Sequence, residues 1–429
     1  MALALALALG LPVLVGAKNY NDYRTMLVSR TGGSRGPGSE PSISLDGHYV
    51  AFVTGASQPG GLGRVYLRSV ARDRTQLVSR SSRGVPANGP SGEPVVSGAG
   101  WNVAFTSWAG NLGGRGGESN VYLRLSKRGE TILVSRASGR SGAEGNGSSF
   151  SPAMSSDGTK VVFASTATNL APGASPGVVN VYMRDLRTDR TTLISRAGSH
   201  GPGANGDSTH PQISSTGNAV VFESTATNLS PLADGEAQIY ERKAGGGTFL
   251  VSVAEGGSVA NRAALSPSVD GDGGRVAFES TATNLSNVAN RVDNIYVRDN
   301  GSGQVFLASR SGGGSKAIAN GDSSGPDLPR DGRFVCFQSV ATDLGNPWDG
   351  FGVDPKVSNV YVHDLLHHGT FLISRQSGRY SPGGNGDSTN VSCSGGASLA
   401  AFQSTATNLS AGAIPGVPNV YRRTIFGGH

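Results

Sequence analysis

Short apolar runs of four to six residues, each closed by Gly, Asp, Asn or Ser, follow one another along almost the whole chain in a fixed order. The run Val-Ala-Phe or a near relative ends at Phe52, Phe105, Phe163, Phe222, Phe278, Phe337 and Phe402. These phenylalanines lie 53 to 65 residues apart, so one small unit is copied seven times. The third copy shows the unit: Pro152-Ala-Met-Ser, the turn Ser156-Asp157-Gly158, Lys160-Val-Val-Phe163, the polar Ser165-Thr-Ala-Thr-Asn169-Leu170, then Asn180-Val-Tyr-Met-Arg184 and Thr192-Leu-Ile-Ser-Arg196. Runs this short, rich in Val, Ile, Tyr, Phe and Thr, predict strands rather than helices. Asp46-Gly47, Asp157-Gly158 and Asp331-Gly332 supply the positive φ of a tight hairpin between the first two runs.

Each copy therefore predicts a four-stranded antiparallel meander. One such sheet cannot bury both faces alone, whereas sheets packed radially around a channel can. The expected fold is all-β: a seven-bladed β-propeller with blades near 41–80, 94–136, 152–196, 211–253, 267–310, 326–375 and 391–423, the last completed by 25–30. That completion follows from the ends of the chain. Leu27-Val-Ser-Arg30 precedes the first Val-Ala-Phe, and the last copy stops at Asn419-Val-Tyr-Arg-Arg423 without a fourth strand of its own. A ring clasped this way leaves no open sheet edge.

The repeat fills nearly everything after residue 24, so residues 18–429 read as one domain despite the length of 429. The 65 glycines fall at turns between strands and do not indicate disorder. A net charge of +6 raises the question of nucleic acid, but the arginines obey the repeat: Arg30, Arg80, Arg136, Arg196, Arg310 and Arg375 end fourth strands, and Arg68, Arg124, Arg184, Arg242 and Arg298 end third strands. This predicts a belt of solvated or paired rim charge, without a nucleic-acid partner. Cys336 stands in the Ala slot of Val-Ala-Phe, and Cys393 in the slot of Ile43, Met154 and Ile213, so both read as small buried hydrophobes rather than a bridge.

Residues 1–17 are apolar, too short to span a bilayer, and end in Val15-Gly16-Ala17, as a secretory signal would; without a basic leader, an apolar N-terminal helix is the alternative. Export, with no membrane span in the mature chain, is the expectation. Asn-x-Ser sequons at Asn146, Asn228, Asn284, Asn300, Asn390 and Asn408 matter only in a eukaryotic secretory route.

Two repeated polar motifs are expected side by side at one mouth of the channel: Ser-Thr-Ala-Thr-Asn-Leu, and Asn-Gly-Asp-Ser with Asp207, Asp322 and Asp387. They suit either a cation, glycan or peptide, or the satisfaction of turn backbone within the ring. Departures from the repeat are more telling. In copy six the loop after the second strand swells to Asp343–Lys356 and sets Trp348 and Phe351 among Asp349 and Asp354, a composition suited to stacking on a sugar or anchoring a partner, or to a loop folded on its own aromatics. The acids are possible Ca²⁺ ligands, although their spacing is not that of an EF-hand loop. The other departure, Asn261-Arg262, lacks the Gly-Asp-Ser that follows the Asn elsewhere. The seven histidines have no metal-ligand spacing, and no nucleophile elbow, P-loop or dinucleotide fingerprint occurs.

Copies spelling Ser-x-Asp-Gly-x-x-Val-Ala-Phe, Ala-Thr-Asn-Leu, Asn-Val-Tyr-x-Arg-Asp-Leu and Asn-Gly-Asp-Ser resemble the WD40-like (PD40) repeats of TolB-type β-propellers, especially the long exported bacterial kind. The resemblance covers about residues 25–423 and implies an exported or surface-bound protein that works through protein or ligand contacts. The Asp-Thr-Asn-Gly segment common in such proteins is replaced here by sequences such as Ala171-Pro-Gly-Ala-Ser-Pro-Gly177, so no metal site carries over. TolB itself has six blades; this chain counts seven. The leading expectation is a non-catalytic interaction or assembly scaffold with a protein partner and no obligatory cofactor. A carbohydrate- or Ca²⁺-binding lectin-like propeller comes second, and a glycan lyase or hydrolase third.

Overall fold

The computed structural model describes residues 23–31, 34–55, 62–287, 292–311, 317–345, 354 and 356–426. It is a seven-bladed propeller of four-stranded antiparallel blades. Blade three runs Ser149–Met154, Lys160–Ser165, Asn180–Asp185 and Arg190–Leu193 in chain order. First strands touch the first strands of both neighbouring blades, so they ring the axis and fourth strands lie outermost. In blade seven the fourth strand is Thr25–Leu27, antiparallel to Asn419–Thr424 with Leu27 opposite Tyr421. The clasp expected from the chain ends is present.

Each blade stacks its second-strand Phe on its third-strand Tyr at 5.8–6.1 Å. The apolar core lies between blades. In every interface the middle residue of the Val-Ala-Phe run packs near the end of the next blade's first strand, pairing Ala51 with Val96, Ala104 with Met154, Val162 with Ile213, Val221 with Val269, Ala277 with Leu328 and Ala401 with Ile43. At the seventh interface this pair is Cys336 and Cys393, and they form a disulfide across the blade boundary, with Cα atoms 6.6 Å apart. This corrects the expectation of two separate buried thiols. The two slots are neighbours in space at every blade interface, so two cysteines placed there, 57 residues apart in sequence, are already within bridging distance.

The Leu-Val-Ser-Arg serine is buried and pins its blade. Ser135 Oγ accepts the Val121 N–H (3.1 Å) and donates to Asn120 Oδ1 (2.7 Å), and Ser309 and Ser374 donate in the same way to Asn294 and Asn359. The third-strand arginines do not form the solvated belt the sequence suggested. Arg68, Arg124, Arg184 and Arg423 are buried, 6, 3, 2 and 3% exposed. After each fourth strand the chain doubles back across the outer edge of the next blade. There the guanidinium satisfies its free carbonyls: Arg124 donates to Ser81, Arg184 to Ala137 and Gly139, Arg298 to Val253, and Arg423 to Arg375 and Gly378. A planar five-donor fork suits that work and costs less to desolvate than an ammonium. In blade six His363 takes the slot, bonded to Thr370 Oγ1 at 2.8 Å, and burial pushes it down to about 3, so it serves as a neutral ring.

At the far end of the axis from the Ala-Thr-Asn-Leu loops, the turns between first and second strands join into a backbone belt. Leu45 donates to Gly98, Gly98 to Ser156, Ser156 to Ser215, Thr216 to Gly271, Gly271 to Arg330, Asp331 to Gly395 and Gly395 to Leu45, all at 2.9–3.2 Å. Seven bonds close the circle. Glycine is required by close approach at Gly271, where a Cβ would lie 2.6 Å from the Arg330 carbonyl oxygen.

Candidate functional site at the channel mouth

The two repeated polar motifs do meet on one face, and they bond to each other. Asn205 accepts the Thr227 N–H (2.8 Å) and donates to Thr227 Oγ1 (2.8 Å), while its own N–H meets Asn228 Oδ1 (3.0 Å). Asn146, Asn320 and Asn385 repeat this arrangement. So does Asn261, which keeps all three bonds; the departure there replaces only the Gly, Asp and Ser that follow. The motif aspartates tie each blade to the one before: Asp207 accepts the Val179 N–H (2.8 Å), Asp322 that of Asp293 (3.0 Å) and Asp387 that of Ser358 (2.9 Å). All three remain exposed. Asp354 is exposed and accepts the Lys356 N–H (3.0 Å). Trp348, Asp349 and Phe351 lie outside the described residues.

A second ring sits deeper, at the axis. Each first strand carries a bulge against its second strand, as the register shift between Phe150 and Ala153 shows in blade three. The bulge puts one residue per blade into the left-handed region: Glu40, Glu93, Ser151, His210, Ser266, Gly325 and Asn390, with φ of 46–60°. Left-handed backbone in a non-glycine residue carries strain that the surroundings must hold. Six of the seven are followed by Pro, and the seventh by Val391. An innermost strand has no inner neighbour to bond, so the missing N–H removes no ladder bond and also blocks edge pairing into the channel.

What holds the strained residue is a side chain from the preceding blade. Gln403 Oε1 accepts the Glu40 N–H (3.2 Å), Glu40 that of Glu93 (2.6 Å), Glu93 that of Ser151 (2.7 Å), Glu223 that of Ser266 (3.3 Å), Glu279 that of Gly325 (2.8 Å) and Gln338 that of Asn390 (2.9 Å). The circuit breaks once. Blade three offers Ser151 and Ala164 at the two acceptor positions, with Phe150 paired opposite Ala164, and the His210 N–H meets no side-chain acceptor among the described residues.

Four carboxylates and one imidazole thus share the channel. Burial, with repulsion from Glu93, raises Glu40 above the ordinary glutamate range, and burial raises Glu279. His210 is raised by its hydrogen bond to Glu223 (Nδ1 to Oε2, 3.3 Å) and by the charges of Glu223, Glu93 and Glu279. Burial pushes Glu223 upward, but His210 together with hydrogen bonds from Ser266 and Thr209 outweighs it and holds Glu223 low. Bulge residues from five blades, Glu40, Glu93, Ser151, His210 and Asn390, line one cavity of about 450 Å³. Among the described residues no three His, Cys, Asp or Glu side chains are grouped as a metal site.

The bulge position escapes a reading of the repeat because its side chain varies among Glu, Ser, His, Gly and Asn. The available signal was the Pro that follows it in six copies.

No family model matches the chain, and no curated protein matches it. Solved structures do. The β-propeller domain of the Trilobed protease from Pyrococcus furiosus is 12% identical over 90% of this chain and 93% of its own, with a TM-score of 0.54. The oligogalacturonate lyase from Vibrio parahaemolyticus is 13% identical over 94% and 97%, with a TM-score of 0.51. TolB from Acinetobacter baumannii is 14% identical over 76% of this chain and 66% of its own, with a TM-score of 0.44. The fold is a propeller, and TolB is among its solved neighbours. At these identities the likeness concerns the fold alone. Among the described residues no helix is long and apolar enough to cross a membrane.

Proposed function

We propose that the protein is an exported, non-catalytic scaffold that receives a Lys- or Arg-bearing segment of a protein partner at the open mouth of its channel. The observation that carries this reading is the commitment of the channel carboxylates. Glu40, Glu93, Glu223 and Glu279 each hold the bulge amide of the next blade, which commits all four carboxylates to the geometry of the ring. Glu40 and Glu93 also line the cavity, where negative charge favours a cationic segment and disfavours an anionic one. Export is supported by the disulfide, which persists in oxidising compartments, and by the apolar residues 1–17.

A photocrosslinking residue at Asn390, on the mouth, and another at Asp331, on the belt face, separate the readings when each variant is incubated with extract of the source cells. An adduct from Asn390 alone, competed by a lysine-rich peptide and weakened severalfold by Glu93→Gln, is expected. Gln retains the acceptor oxygen for Ser151 and removes only the charge. Equal adducts from both faces, or a polysaccharide-cleaving activity abolished by Glu93→Gln, would contradict the proposal.

A further inference from the structure

The blades differ at the rim in whether a carboxylate meets the third-strand arginine. In blades one and three the turn between third and fourth strands carries an Asp two residues before a Thr: Asp73 before Thr75, and Asp189 before Thr191. Each Asp meets the third-strand arginine of its own blade, Arg68 or Arg184. In blade four the turn reads Lys243-Ala-Gly-Gly-Gly-Thr248, and Gly246 takes the Asp position. Arg242 still reaches Thr248 Oγ1 (3.0 Å) and the Gly198 and Ser199 carbonyls (2.5 and 2.8 Å), but among the described residues no carboxylate hydrogen-bonds it.

Beside it opens a cavity of about 330 Å³ whose lining includes Arg190, Arg196, Arg242, Lys243 and His200, and no Asp or Glu. Arg196 is turned into the same space and donates to the His200 and Gly201 carbonyls. Burial and the charge of Arg196 together pull Arg242 below the usual arginine range. Glu241, whose side chain is fully buried, lies 3.8 Å from Lys243 Nζ. Three guanidiniums, those of Arg190, Arg196 and Arg242, line this concave, glycine-walled space with no ion pair among the described residues, and the forks of Arg196 and Arg242 lie within range of each other's charge.

We propose that this rim cavity binds a sugar-sized ligand through a phosphate or sulfate group. A tetrahedral oxyanion accepts from both forks at once, and a space of this volume lies at the small end of ligand pockets. The site is separate from the channel mouth and stands whether or not the scaffold reading does.

The test is calorimetry and thermal melting of the full chain with inorganic phosphate, inorganic sulfate, glucose 6-phosphate and glucose 6-sulfate, against chloride at matched ionic strength. Phosphate or sulfate is expected to raise the melting temperature beyond the chloride control, with the sugar ester tighter than the free ion; the tighter ester identifies the source. Arg196→Gln should weaken binding about tenfold, as loss of a charge-assisted bond does. Gly246→Asp should abolish binding, because it returns the carboxylate of blades one and three to Arg242. The position tolerates it, with no left-handed φ and the nearest atom 3.5 Å from a Cβ. Lys243→Gln, at an exposed side chain, gives an arm independent of folding and should also weaken binding. No response beyond chloride, or an equal response in the wild type and all three variants, would overturn the assignment.

Discussion

Leu27→Asp combined with Val28→Asp is expected to abolish cooperative unfolding of the chain, leaving soluble protein scarce and aggregation-prone. These residues are 3 and 1% exposed; Leu27 ends the strand that completes blade seven and Val28 follows it directly. Burying side chains of this kind contributes about 1.5–3 kcal/mol each, and an unpaired carboxylate in their place adds a further penalty. Two such changes rival the whole stability of a typical domain, about 5–15 kcal/mol. More than packing goes. Thr25 Oγ1 donates to the Arg375 carbonyl and accepts from buried Arg423, Ser29 Oγ accepts the Val420 N–H, and the Val28 and Ser29 amides both reach the Val420 carbonyl. Releasing the clasp bares the edge of Asn419–Thr424 for pairing with other chains. Met26→Asp, on the half-buried side of the same strand, is the control and should retain a sharp melt. A double variant that melts like wild type would show that the ring closes without its clasp.

Glu241→Gln is expected to stabilise the protein by about 3 kcal/mol at pH 8 and to change little at pH 4. The Glu241 side chain has no exposed surface; Asn300 Nδ2 donates to one carboxylate oxygen at 2.6 Å, and the other has no hydrogen bond among the described residues. Burial pushes this carboxyl up to about 7, with Asp270 adding repulsion and Lys243 opposing it. The folded state therefore keeps the proton up to about pH 7, whereas an unburied glutamate releases it near 4.5. The stabilisation is fully present below pH 4.5 and is lost as pH rises through 7. Glutamine keeps the neutral shape at every pH. Urea melts of both proteins at pH 4 and 8 decide the matter, and an equal difference at both pH values would contradict this account of the buried acid.

The architecture is legible in the sequence because each blade repeats the same hydrophobic spacing, and the turn signals Asp46-Gly47 and Asp157-Gly158 fall where positive φ is needed. The clasp is legible too, from one Leu-Val-Ser-Arg too many at the start and one too few at the end. Three features were hidden. Cys336 and Cys393 each look like core residues within their own copy; only the register between neighbouring blades reveals that the two slots touch. The third-strand arginines look like surface charge, because the carbonyls they satisfy come from the preceding blade and no local pattern announces them. The bulge ring varies from Glu to Ser to His, so alignment on the apolar runs passes over it, although its geometry is the most constant in the channel. Positions whose side chains repeat, such as Asn205 and Asn385, turn out to hold loops together. The position that varies is the one that faces the axis.

Residue-resolved amide hydrogen exchange at the seven bulge positions tests the central claim, that the polar groups of the channel are spent on holding the ring. The N–H groups of Glu40, Glu93, Ser151, Ser266, Gly325 and Asn390 should be protected and that of His210 should exchange fast, since blade three supplies it no acceptor. Fast exchange at all seven would mean that the channel carboxylates are free, and the scaffold account would fail.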